Sequence, residues 1–227
     1  MSYPKNPESI VIKNEYYPKG LKEIDIWNYY QKVKSKLLRE VSGRDLMLLI
    51  MTDIDKPILK RAGKTSKFIR LNSSNYDEVI TGRTLVIYST MKRLENIGII
   101  DIDVGNFTKA KIATAETFEY ISKFNMIDNI QIRFTGKTSF HILCKLKTKM
   151  NIDNIRMYFR RYLGESELVN KYTMTQKRVK GIPNLDLSPN KFRGAYITLH
   201  SLSSLGLRCM EVSHREILRF NQRSGLI

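Results

Sequence analysis

Cysteine is nearly missing from this chain: Cys144 and Cys209 are the only two among 227 residues. Two separated thiols make neither a disulfide framework nor a cysteine-type zinc site. The expectation that follows is a reducing, intracellular compartment, whether cytoplasm, nucleoid or the host cell of a virus or plasmid. Long apolar runs are missing too, so no segment is expected to span a membrane as a helix. The N-terminal "MSYPKNPESIVIKN" lacks the apolar centre of a secretory signal. No internal repeat, low-complexity tract or Gly/Ser/Pro linker breaks the chain, which leaves one large domain or two small lobes sharing a core. The expected organisation is an arm over 1–20, with turns at Pro4, Pro7 and Pro18-Lys19-Gly20, followed by a single domain over 21–227.

Acids are the other deficit. Twenty-two Asp and Glu stand against 39 Lys and Arg, a formal net charge of +17. Such an excess attracts polyanions, nucleic acid first and an anionic membrane second. It would also serve as a solubility surface, and it names no reaction.

Apolar spacing organises the rest. Ile26, Tyr29, Tyr30, Val33, Leu37 and Val41 recur at helical intervals in "EIDIWNYYQKVKSKLLREVSG", which Gly43 stops. Trp27, Tyr29, Tyr30 and Phe68 could stack on bases, but helical spacing favours the core for most of them. "LMLLIMT", residues 46–52, reads equally as a buried strand or a short helix. Residues 56–83 are basic and turn-rich, around a short strand at 67–71. "RTLVIYSTMKRLENIG" is predicted as a helix closed by Gly98, followed by the strand "IGIIDIDVGNF". "AKIATAETFEYISKFNMI" is an amphipathic helix, and "NIQIRFTG" and "SFHILCKLK" are strands. "NIDNIRMYFRRYLG" is a helix with Asn151 as N-cap. A strand through 185–187 and short strands in "AYITLH" and "LRCMEV" complete an α+β pattern around a mostly antiparallel sheet.

Three polar stations interrupt the apolar strands. Asp101 and Asp103 share one side of their strand by period-two alternation, and burying two like charges there is costly without a partner. Ser139 and His141 share a side in the same way, and Asp186 lies between apolar neighbours in "NLDLS". Two carboxylates on one strand and a third from another are the oxygen ligands that a pair of Mg²⁺ or Mn²⁺ ions takes, and such ions hold both oxygens of a phosphoryl transfer. Ser139 and His141 offer donors for triphosphate oxygens. Each station also has a plainer reading: a D-x-D at a strand end, Asp186 capping a turn with Ser188-Pro189-Asn190, and His141 as a satisfied core histidine. Their joint occurrence favours the metal reading.

The order D-x-D, S-x-H, then a lone acid resembles the archaeo-eukaryotic primase superfamily. It is closest to the primase-type polymerase domains that act with bacterial and archaeal DNA-repair ligases. "GLKEIDIWNYYQKVKSKLLREVSGR", "IIDIDVG", "FTGKTSFHILC", "TMTQKRVKGIPNLDLSPN" and "YITLHSLSSLGLRCMEV" are similar to that group's successive motifs, over about residues 10–213. The resemblance implies a primase-polymerase core, an RRM-like sheet plus a second α/β subdomain with a cleft between them. It implies a template-directed nucleotidyltransferase, a primase or a repair polymerase. Asp101, Asp103 and Asp186 become the ligands of two Mg²⁺ or Mn²⁺ ions, and Ser139 and His141 the triphosphate contacts. His200 falls at a basic residue near those phosphates and Asn190 at a matching Asn.

The pattern departs from the repair branch where Thr138-Ser139 replaces a Lys-Gly, with Lys137 one position early. Lys22 stands beside the position of a 5′-phosphate lysine, now Glu23. Of the basic residues over 171–193, Lys177, Arg178 and Lys180 are expected on template phosphates and Arg193 on the incoming nucleotide. The expected partners are a DNA template and primer, NTP or dNTP, and a ligase, helicase or other replication or repair protein. The competing readings are a two-metal nuclease and a non-catalytic nucleic-acid-binding protein of the same fold.

Overall fold

The computed structural model describes residues 4–52, 56–61, 68–174 and 181–227. Along the chain run β1 (Ile10–Ile12), β2 (Leu21–Lys22), α1 (Glu23–Glu40), β3 (Leu46–Met51), β4 (Pro57–Lys60), α2 (Tyr76–Val79) and β5 (Thr84–Thr90). Then come β6 (Leu94–Asp103), α3 (Phe107–Ile121), β7 (Ile127–Phe134), β8 (Phe140–Asn151), α4 (Ile152–Gly164) and α5 (Leu168–Lys171). The last strands are β9 (Asn184–Asp186), β10 (Ala195–Ile197) and β11 (Met210–Val212), with 3₁₀ turns at His214–Arg219 and Gln222–Gly225. Among the described residues no helix is long and apolar enough to cross a membrane.

Two compact units divide these elements. Unit 1 takes Met1–Thr90, Ala195–Cys209 and Arg223–Ile227, and unit 2 takes Met91–Gly194 and Met210–Gln222. In unit 1 an antiparallel sheet of order β10-β5-β3-β4 packs with α1. The helix buries Ile26, Tyr30 and Leu37 in one core with Leu46, Leu48, Leu85 and Ile87. Tyr30 also donates its hydroxyl to Leu85 O at 3.0 Å, so its ring is buried without leaving the O–H unsatisfied. Trp27 and Tyr29 are buried as well, which makes them core rather than base-stacking residues. Residues 10–12, expected in an extended arm, pair with β2 and bury Val11 and Ile12.

One expectation is overturned here. The stretch 83–98, read as a helix, is the strand β5, a short turn, and the start of β6. "TLVIYST" fits both periods because its centre, Leu85 to Tyr88, is apolar without a break. β5 lies inside its sheet between β3 and β10, and every residue but the half-buried Tyr88 is buried, so both faces are covered and the run need not alternate. Its β-branched residues then favour the extended form.

Unit 2 follows the order β6-α3-β7-β8-α4-β9, a split βαββαβ arrangement, with β11 added at one edge. All neighbours in its sheet, β11-β7-β8-β6-β9, are antiparallel. Register places Gly98, Ile100 and Ile102 of β6 on one face with Cys144, Ile142 and Phe140 of β8. Both helices cover that face. Phe107 of α3 stacks on Phe140 at 5.7 Å between centroids. From α4, Phe159 and Ile155 close on Gly98, where an added Cβ would lie 2.1 Å from Phe159 Cε2. The expected N-cap of α4 is present, with Asn151 Oδ1 accepting from Asp153 N at 3.0 Å.

Candidate active site

The face of the unit 2 sheet away from its helices carries the polar stations. Asp186 of β9 is the Cα partner of Asp101 on β6, and Asp101 is the partner of His141 on β8. His141 in turn faces Arg133 of β7, and Arg133 faces Glu211 of β11. Directly opposed residues on neighbouring strands present side chains to the same face. One row across all five strands therefore reads Glu211, Arg133, His141, Asp101, Asp186, every member ionisable. Asp103 opposes Asn184 one step along, on the same face.

Burial sets the charge state of this row. His141 is 4% exposed. Loss of water, and secondarily the Arg133 charge, push its pKa down to about 3, so the imidazole is neutral at pH 7. Its Nε2 lies 3.5 Å from Asp101 Oδ1, a contact between a neutral ring and a carboxylate rather than an ion pair. Its Nδ1 is buried without a hydrogen-bond partner among the described residues. Arg133, buried too, donates Nε to Gln131 Oε1 at 2.5 Å, and Gln131 Nε2 donates to Glu211 Oε2 at 2.7 Å. A chain of polar contacts thus braces the cation beside His141.

Asp186 accepts from Ser188 N at 2.7 Å and from Ser188 Oγ at 2.8 Å. The turn-capping reading is therefore present in the structure. A carboxylate has about four acceptor positions, so these two bonds orient Asp186 and leave it able to accept further. Its donor chemistry, with Asp101 and Asp103, is that of a hard divalent cation. As the side chains stand, no three His, Cys, Asp or Glu among the described residues are gathered closely enough to hold a metal ion.

The remaining expected contacts distribute unevenly. Ser139 ends the turn that leads into β8, its Oγ 2.6 Å from Thr135 Oγ1, and Lys137 is exposed on that turn. Asn190 is fully buried: its Oδ1 accepts from Ile99 N at 2.7 Å and its Nδ2 donates to Ile99 O and to Leu187 O. That amide extends the ladder of β6 past the end of β9, a structural task that accounts for its whole side chain. Arg193 is exposed in unit 2. Lys22 and His200 belong to unit 1. Lys22 pairs with Glu8, and its backbone N donates to Asp25 Oδ2 at 2.9 Å at the start of α1. His200 O accepts from Tyr29 OH at 2.9 Å. Arg193 and His200 are the two non-glycine residues of positive φ among those described, at 61° and 67°. Lys177, Arg178 and Lys180 lie outside the described residues.

Sequence reasoning missed Arg133 and Gln131, whereas Ser188 is the turn partner that the capping reading of Asp186 expected. The signal for the first two was available: "IQIRF" alternates, so Gln131 and Arg133 fall on one side of β7. What it lacked was the register that sets Arg133 beside His141.

No family model and no curated protein matches this chain. A solved polymerase domain shares its fold. The polymerase domain of ligase D from Mycobacterium tuberculosis, solved in complex with DNA, aligns over 96% of this chain and 88% of that one, with a TM-score of 0.79 and 14% identity. The primase-polymerase domain of cyanophage S-2L aligns over 83% of this chain and 94% of that one, with a TM-score of 0.48 and 9% identity.

Proposed function

We propose that the chain is a metal-dependent, template-directed nucleotidyltransferase that adds nucleotides to a nucleic-acid 3′ end. The observation that carries this reading is the row in which Asp186, Asp101 and His141 are direct neighbours on three consecutive strands, with Asp103 on the same face. The likeness of fold to a polymerase domain solved with DNA supports it, as does the net charge of +17 for a polyanionic partner. Asp101, Asp103 and Asp186 would hold Mg²⁺ or Mn²⁺. Bound there, the ions would activate the 3′ hydroxyl and take up charge on the transferred and leaving phosphates. Ser188 holds the Asp186 carboxylate in orientation, and His141, neutral and braced by Arg133, would meet the triphosphate with Ser139. The substrates would be NTP or dNTP, with DNA as template and primer.

Extension of a primed and an unprimed template, with each nucleotide set and Mn²⁺ or Mg²⁺, tests the proposal. Incorporation that is lost in Asp103→Ala and Asp186→Ala is the expected result. Shortening of the primer without incorporation would establish a nuclease instead. Binding with neither reaction would leave a non-catalytic nucleic-acid-binding protein.

A further inference from the structure

Unit 2 also displays an aromatic ring that its core does not use. Phe192 is 47% exposed, yet the loop that presents it is tightly built. Asn190 anchors the loop to Ile99 from beneath. Gly194 N donates to Lys191 O at 2.7 Å, and Arg193 N and Met91 O meet at 3.0 Å, tying the loop to residues 91–93. A Cβ on Gly194 would lie 2.1 Å from Pro189 O, so the turn closes only with glycine there. Arg193 takes φ 61°, a region that disfavours residues with a β-carbon. A constrained backbone that holds an aromatic ring in water points to a ligand.

The surroundings of the ring indicate which ligand. Arg93 Cζ lies 5.4 Å and Arg193 Cζ 5.0 Å from the Phe192 centroid. Lys92 and Lys191 are exposed beside them, and neither 91–93 nor 187–194 contains an acid. Glu95, next along the chain, is buried and accepts from Lys92 N at 2.8 Å. Planar guanidinium groups and an aromatic ring are surfaces on which unpaired bases stack, and lysines on either side suit the phosphates of the same strand. A duplex keeps its base faces stacked inside and offers none of them to such a surface along its length. Leu94 and Asp101 lie seven positions apart on β6, roughly 20 Å of strand, which sets residues 91–93 apart from the aspartate row.

We propose that Phe192, with Arg93 and Arg193, is a stacking platform for a base of single-stranded nucleic acid, and that Lys92 and Lys191 contact the adjoining phosphates. The platform needs neither metal nor nucleotide, so its test is independent of nucleotide transfer. The full chain is titrated against a fluorescein-labelled twelve-residue oligothymidine strand over a range of salt, without metal. Phe192→Ala should weaken binding about tenfold at an unchanged salt slope. Arg93→Ala should make the slope shallower by about 0.7. Phe192→Leu, which keeps the apolar volume, should bind as weakly as Phe192→Ala and guards against a folding defect. Phe192→Trp adds an exposed indole to a chain whose one tryptophan, Trp27, is buried, and its emission should be quenched by the oligothymidine but not by an abasic strand of equal length. Wild-type affinity in both Phe192→Ala and Phe192→Leu would overturn the proposal, as would equal quenching by the abasic strand or an equal loss of duplex binding. A chain that fails to extend primers but passes these tests would retain the platform and lose the proposed reaction.

Discussion

His141 sits inside a strand where burial and the neighbouring Arg133 hold its imidazole neutral, with a pKa of about 3. An unfolded histidine titrates near 6.5. Between these values the unfolded chain binds a proton that the folded chain refuses, so folding weakens as pH falls from about 6.5 toward 3. The slope is at most about 1.4 kcal/mol per pH unit. Urea denaturation of wild type and His141→Gln at pH 7, 5.5 and 4.5 should show the variant losing less stability on acidification; parallel losses would mean that His141 is protonated in the folded chain. The acids make a second prediction. If Asp101, Asp103 and Asp186 hold Mn²⁺, saturation at a hundredfold over the dissociation constant should stabilise the wild type by about 2.7 kcal/mol. Asp103→Asn should lose most of that gain without a lower melting temperature in chelator. Equal Mn²⁺ shifts in both would remove Asp103 from the ligand set. The period-two spacing of both motifs made these residues visible from sequence, and the Asp-x-Ser-Pro-Asn turn made Ser188 visible as the partner of Asp186, whereas Arg133 beside His141 depends on strand register.

β6 carries two aspartates because other elements fix its position. Asn190 supplies backbone-like bonds to Ile99 on one side, and Gly98 lets α4 approach on the helix-covered face. Gly98→Ala must displace the Phe159 ring, and overpacking of this kind costs about 1–3 kcal/mol. Adding Phe159→Leu should recover part of that loss in a double-mutant cycle; additive losses would mean that the two residues do not compete for space. Asn190→Ala leaves Ile99 N and O without these partners and should lower stability by about 1–3 kcal/mol. A nucleotide contact would instead show as a raised KM at unchanged melting temperature. Helix α4 and its cap were readable from periodicity and Asn151, but β5 was not. The unbroken apolar centre, Leu85 to Tyr88, carries no period, and only its place between β3 and β10 made it a strand.

Across the molecule, an excess of Lys and Arg would act on a polyanion through salt-dependent attraction. If three or more phosphates are engaged, the affinity for single-stranded DNA should fall tenfold or more between 50 and 200 mM salt. A flat salt dependence would return the charge of +17 to a solubility role. The two units draw on distant parts of the chain, since residues 195–209 return to the first unit and 210–222 to the second. A strand such as β10 therefore completes a sheet begun more than a hundred residues earlier. Composition could bound the size of the core, but not this exchange of segments.

The sequence by itself determined the α+β class, the polar stations on apolar strands and the net positive charge of the chain. Each of these is local: alternation decides which side chains share a face, and net charge needs no fold. Only the tertiary structure decided that Asp186, Asp101, His141 and Arg133 form one row, and that Asn190 is a staple of β6. It alone gathered Arg93 and Arg193 on Phe192. Strand register is set by long-range pairing and by the helices packed behind the sheet, and a shift of one residue would turn every one of those side chains to the opposite face.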